Sequence, residues 1–253
     1  MQPARYGWQR DLPDWRDQVK APAPLVVATA IDLRPFFPPV YDQGNVGSCT
    51  GNAVAGAIAY IRRSQGLPEF TPSRLMLYYG ARLLGGTPWG DTGAQIRDAI
   101  KSAAQWGACP EDVWPYDPAA VTTVPNVPAY AAGKLDRAIG YHRILGVQSV
   151  RVNAMRATLA DGDPVVFGFT VYDGFESTAV AANGKLNMPG TQEKTCGGHA
   201  VTAVGYDDAE RRFIVRNSWG EDWGDNGYFT MPYDYVANPM LSADFWTVRL
   251  VTP

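Results

Sequence analysis

Apolar residues recur at helical spacing in the first half of the chain and in short alternating or continuous runs in the second. Ala53, Val54, Ala57, Ile58 and Ile61 share one helical face that begins at Cys49 and stops at Gly66. A second helix is signalled by Thr71 as N-cap and Pro72 at the first helical position, with Leu75, Met76, Tyr79 and Leu83 on one face and Gly85 past its end. A third runs from about Gly93 to Trp106, apolar at Ile96, Ala99, Ile100 and Ala103, and Gly107 stops it. After the Pro-rich stretch 110–128 the period changes. PVVFGFTV (164–171), HAVTAVGY (199–206), RRFIVRN (211–217), GYFTM (227–231) and DFWTVRLV (244–251) predict strands, with a single helix near 153–161 capped by Asn153. A helical half followed by a strand half indicates an α+β fold, with a site in the cleft between the two.

Residues 1–28 follow neither period. They hold two Trp and four Pro and end in APAPLVVA, the pattern of an extended segment laid on something else. Two features of composition narrow the picture. A net charge of −3 with no block of like charges gives no footprint for nucleic acid or an anionic membrane. No apolar run approaches the roughly 18 residues of a membrane span, and the start lacks the apolar core of a signal peptide. Localisation is left open between the cytoplasm and another export route. The 253 residues suit one large core or two small ones packed together.

The three cysteines, at 49, 109 and 196, are too few for a disulfide scaffold and lack the paired spacing of a zinc site, so no metal is expected. Alone, Cys49 would pass for a small core thiol. At a helix N-terminus, however, it meets the positive end of the peptide dipoles, which favours thiolate, and Gly44, Gly47 and Ser48 before it leave room for a substrate backbone. His199 opens a predicted strand directly after Gly197 and Gly198, with a clear approach. His142, in GYHRILGV, has no such signal and is read as structural. Asn217, at the end of RRFIVRN, can fix the tautomer of an imidazole or simply turn the chain. Cysteine, then histidine, then asparagine is the order of a nucleophile, base and orienter assembled in space.

QGNVGSC, GGHAVTAVGYD and RNSWGEDWGDNGY resemble the three active-site blocks of papain-like cysteine peptidases, in a style similar to the bacterial branch. The likeness runs from about Ile31 to Leu250. It implies a two-lobed papain-like fold, with a helical lobe at 29–125 and an antiparallel, β-barrel-like lobe at 126–253, after an N-terminal extension at 1–28. It implies Cys49 as nucleophile, His199 as base and then acid, Asn217 as orienter and Gln43 as oxyanion donor. Trp219 would shield the Asn–His bond, and Trp223 would line the leaving-group side. Gly47, Ser48, Gly93 and Gly198 would meet substrate, with Asp91-Thr92-Gly93 in the place of the strip that holds the substrate backbone. Gly198, having no side chain, suggests a roomy pocket for an apolar or aromatic group.

The sequence departs from that family at Val46, where most members carry a disulfide cysteine, and at Thr50, where most carry Trp. Cys109 and Cys196 are expected to be free, Cys196 as a buried and inert thiol near the site. The partners implied are protein or peptide substrates, with no cofactor, and a monomer is expected. An endopeptidase is favoured because no insertion is suited to blocking one end of the groove. An exopeptidase, an amidase or acyltransferase on the same scaffold, and a silent binding relative are the rivals. The extension lacks the long helical pattern of the family's propeptides; it is read either as a regulator covering the cleft or as a strap far from it.

Overall fold

A computed structural model describes residues 6–20, 28–134 and 138–250. The end of the extension (21–27) and the last residue of the final predicted strand, Val251, lie outside them. In chain order the elements are β1 (Trp8–Gln9), β2 (Ala30–Asp32), α1 (Cys49–Ser64), α2 (Arg74–Leu84), β3 (Ala94–Gln95), α3 (Ile96–Trp106) and α4 (Val127–Gly133). Then come β4 (Ala138–Arg143), α5 (Gln148–Ala160), β5 (Val165–Tyr172), α6 (Thr178–Asn183), β6 (Thr195–Asp207), β7 (Arg212–Arg216), β8 (Tyr228–Pro232), α7 (Tyr233–Ala237) and β9 (Ser242–Leu250). The fold is papain-like α+β. Its main sheet runs β4-β9-β5-β6-β7-β8 with every pair antiparallel, and β2 joins β6 off that path. The order is an open, curled sheet rather than a closed barrel.

The helix α1 is the hub. All its residues from Cys49 to Arg62 are buried, because it packs on α2 and α3 on one side and on β5, β6 and β9 on the other. Small residues make that possible: Gly51 lies so close to the backbone of α2 that a Cβ there would meet Arg74 O at 2.5 Å. Thr202 on β6 donates to Ala53 O at 3.2 Å, fastening the helix to the strand that carries His199.

Three predicted boundaries move. The second helix is capped by Ser73, whose side chain accepts from Met76 N, and not by Thr71; the Thr71 carbonyl instead accepts from Glu111 N. The helix α5 starts at Gln148, and Asn153 lies inside it. The pull is tertiary: Arg151 donates to Gly146 O, Val236 O and Ser242 O, drawing the first turn onto the rim of the sheet. The strand carrying His199 starts at Thr195, so His199 sits within it rather than opening it. The sequence pattern also passed over β4, which carries the half-buried His142 opposite Thr247 on β9, and α4, capped by Asn126 inside the Pro-rich stretch. Ile58 on α1 is 1% exposed and belongs to the main core, so Ile58→Ala should cost about 2–5 kcal/mol. Urea unfolding with an unchanged m-value checks this.

Candidate active site

The cleft places Cys49 at the first turn of α1, His199 and Gly198 on β6, and Asn217 just beyond β7. His199 Nε2 lies 2.8 Å from Asn217 Oδ1, and Ser218 N donates to the same oxygen at 2.8 Å. Two donors converging on Oδ1 fix the carboxamide, so Nε2 carries the proton and Nδ1 is left as the acceptor. That Nδ1 is buried with no partner among the described residues. The Trp219 ring stacks on the imidazole at 5.2 Å between centroids, and Trp223 meets Trp219 edge-on at 5.2 Å. Gln43 is fully buried. Its Oε1 accepts from Ser218 Oγ at 2.6 Å and its Nε2 donates to Val46 O at 2.8 Å, which orients the amide within the loop leading to Cys49.

That loop is held from α2 as well. Arg74 donates to Asp42 O at 2.9 Å and Asn52 Oδ1 at 3.1 Å while paired with Glu111 at 2.8 Å. Ser48 Oγ lies 2.6 Å from Tyr116 OH, which donates to Gln43 O. Neither tie was visible in the sequence, since both depend on contacts across many residues.

The cleft is filled by the chain's own N-terminal segment. The strand β1 pairs parallel with β3, next to Gly93, and Ala94 N donates to Gly7 O at 2.7 Å. Gly7 lies directly on Gly47 and Gly93: a Cβ on Gly93 would come within 2.3 Å of Gly7 O. Gly93 itself has φ +78, a conformation that glycine adopts without strain. Tyr6 stands edge-on to His199 at 6.0 Å and donates to Glu176 at 2.5 Å. The Trp8 indole occupies the pocket beside Gly198. A Cβ on Gly198 would meet it at 2.8 Å, and one on Gly168 of β5 at 1.9 Å. Gly168, central in PVVFGFTV, was not among the sequence candidates; a lone glycine within an apolar strand was the available signal.

Beyond the cleft the segment is tied to both walls. Gln9 Nε2 donates to Thr92 O at 2.7 Å, and Arg10 donates to Pro239 O and Met240 O. Asp11 accepts from Trp246 Nε1 at 2.7 Å, and Asp17 pairs with Arg97 at 3.0 Å and Arg143 at 2.8 Å. Burial and the neighbouring Asp244 together raise the Asp11 carboxyl.

Burial acts on both members of the pair. Burial pushes the Cys49 thiol up to about 11, against the backbone N–H groups of Ala200, Gly7, Thr50 and Cys49 itself, which favour thiolate. Burial also takes His199 down to about 4, against its bond to Asn217. Burial thus disfavours the charged form of each. All three cysteines are free. Cys109 is buried, but Cys196 is exposed, contrary to the sequence reading, because β6 begins at its rim; Glu176 and Asp173 add to burial in disfavouring its thiolate. Among the described residues no His/Cys/Asp/Glu group could hold a metal, and no helix is long and apolar enough to cross a membrane.

The sequence model described as papain family cysteine protease matches residues 27–239, and the chain belongs to that family. It is a papain-type cysteine peptidase, whose substrates are proteins or peptides. Its structure is similar to that of xylellain, a cysteine protease from Xylella fastidiosa, with a TM-score of 0.90 and 38% identity over 98% of this chain and 97% of that one. An uncharacterized peptidase C1-like protein of Acanthamoeba polyphaga mimivirus is 44% identical over 83% of this chain and 70% of its own length. A cathepsin B-like protein of Giardia intestinalis is 28% identical over 85% and 73%.

A thiol held near 11 is only about one part in ten thousand thiolate at pH 7, against a few per cent for a free cysteine. Alkylation of Cys49 by iodoacetamide in the full chain should therefore keep rising beyond pH 9. Mass spectrometry of the Cys49 peptide in a Cys196→Ser background checks this, and a plateau below pH 7 would contradict it.

Proposed function

We propose that the chain is an endopeptidase acting through an acyl-thioester on Cys49, and that residues 6–20 hold it shut until they leave the cleft. The observation that carries the reading is the His199–Asn217 pair at 2.8 Å, which leaves Nδ1 as an unpartnered acceptor on the strand facing Cys49. Cys49 Sγ attacks the peptide carbonyl and its proton passes to Nδ1 of His199. The oxygen, now negative, would be met by the backbone N–H of Cys49 and the second N–H of the Gln43 amide, whose first is held by Val46 O. The imidazolium gives its proton to the leaving amine. Water, deprotonated by the same imidazole, then splits the thioester and frees Cys49. Asn217 keeps the ring oriented throughout, and Trp219 keeps water from their bond.

Substrate would follow Gly47, Ser48 and Gly93 through its backbone and place a large side chain against Gly198 and Gly168. Trp223 would flank the departing amine. The fit of the Trp8 indole supports an aromatic side chain as the preferred occupant. This division of labour uses a helical lobe and a sheet lobe, with the expected bounds 29–125 and 126–253 shifted because β2 (Ala30–Asp32) joins the sheet and Ala129 of α4 packs with Met76 and Cys109, all within a single chain working as a monomer.

Occlusion by 6–20 is supported by Gly7 resting on the nucleophile loop and by the Trp8 indole filling the space beside Gly198. Turnover of a fluorogenic peptide with an aromatic residue before the cleavage site should vanish in Cys49→Ala and fall about 10²–10³-fold in kcat in Gln43→Ala. Activity surviving Cys49→Ala would overturn the assignment. Products released only from one end of a protein substrate would make it an exopeptidase, and products requiring an acceptor amine would make it an acyltransferase. Trp8→Gly, in the full chain, should raise kcat/KM roughly tenfold or more by removing a buried indole from the segment's hold. Unchanged kcat/KM would count against occlusion, and a peptide library selecting Arg over aromatic residues would count against the pocket.

A further inference from the structure

Two loops must keep register for this chemistry. One is the nucleophile loop ending in Gly47-Ser48-Cys49, and the other is the segment Asp91-Thr92-Gly93 beside it. No disulfide joins them, since all three cysteines are free. Their connection runs through one carboxylate. Gly47 N donates to Asp91 Oδ1 at 3.1 Å and to Oδ2 at 3.0 Å, and Tyr78 of α2 donates to Asp91 Oδ1 at 2.6 Å. The same Tyr78 hydroxyl accepts from Gly93 N at 2.9 Å. One continuous path of hydrogen bonds thus leads from Gly47 through Asp91 and Tyr78 to Gly93.

The surroundings stiffen that path. Arg82, fully buried on α2, sits over the Tyr78 ring at 4.1 Å and donates to Pro88 O, Gly90 O and Val121 O, fixing the backbone just before Asp91. Gly47 allows the close approach, because a Cβ there would lie 3.0 Å from Asp91 Oδ1 and 3.3 Å from Tyr78 OH. Tyr78 is itself buried in the core, so its hydroxyl is set by α2 rather than by the loops.

We propose that Asp91 and Tyr78 are positioning residues that clamp the nucleophile loop to the substrate strip, so that the oxyanion donors and the substrate backbone stay in register during catalysis. This rests on the peptidase reading given above. Charge-assisted bonds to N–H groups are about twice as strong as neutral ones, and a misplacement of roughly 1 Å between reacting groups can cost about 10²-fold in rate. Neither residue touches the reacting atoms. Their effect therefore belongs in the turnover of each correctly formed site and in the hold on substrate, not in the number of sites formed.

The test uses the full chain, with and without Trp8→Gly, and counts active sites by titration with an irreversible thiol-directed epoxide. Asp91→Ala should lower kcat per titrated site about 30–100-fold and raise KM several-fold. Iodoacetamide alkylation of Cys49 should change less than about threefold, because the thiol's own surroundings are kept. Asp91→Asn, which retains an acceptor for Gly47 N, should recover to within about tenfold of the parent. Asp91→Ala with Tyr78→Phe should be no worse than Asp91→Ala alone, since both act through one path. A kcat and KM per titrated site within about twofold of the parent, with only melting temperature or titratable fraction reduced, would overturn the proposal. So would effects of the two substitutions that multiply. Failure of the parent reading shows itself separately, as turnover that survives Cys49→Ala before any change at Asp91.

Discussion

The position of Cys49 at the buried N-terminal end of a core helix constrains everything around it. Because α1 is buried from its first residue and packs on both α2 and the main sheet, Cys49 cannot shift without moving the centre of the molecule. Interiors packed to crystal-like density do not deform continuously. Adaptation to substrate is therefore left to the parts at the rim, and the two loops there are fastened by side chains from α2: Arg74, Tyr78 and Arg82. The helix α2 has no catalytic candidate of its own, yet it holds both loops beside Cys49.

The helix N-terminus and the filled cleft act on Cys49 with opposite sign. Backbone N–H groups favour the thiolate, burial opposes it, and with Gly7 overhead burial prevails, lifting the thiol while lowering His199. The segment lies over Cys49, and the burial found there disfavours the charged form of both the thiol and the imidazole. Its grip comes from elsewhere: Asp17 between Arg97 and Arg143 is a nearly buried ion-pair junction, of the kind that costs about 3–5 kcal/mol to break one-sidedly.

What the sequence made legible was local. Helix α1 was signalled by its apolar spacing and its stop at Gly66, and the Cys, His and Asn candidates by short blocks whose neighbours are themselves part of the site. The helix starts at Ser73 and Gln148 were missed for different reasons. Thr71-Pro72 is a better cap signal than Ser73 until the Thr71 carbonyl is engaged by Glu111, and Arg151 pulls α5 toward carbonyls more than 80 residues away. The strand character of β4 depends on pairing with β9 across a bulge. Trp8, Gly168 and the bond from Gly47 to Asp91 acquire meaning only when residues distant in sequence are brought together, and no periodicity carries that.

Glycine decides the track of the N-terminal segment. A Cβ on Gly7 would lie 1.8 Å from Gly47 O, and the distances at Gly93 are almost as short, so backbone rests on backbone over the nucleophile loop. A chain carrying any side chain at that point cannot follow the same path. The segment also runs parallel to β3. Its fit is therefore that of an occupant specific to this groove, fixed by the pair Gly7-Trp8: the glycine for approach and the indole for the pocket that Gly168 and Gly198 leave open. An ordinary substrate, with side chains at every position, must lie higher or run differently over Cys49.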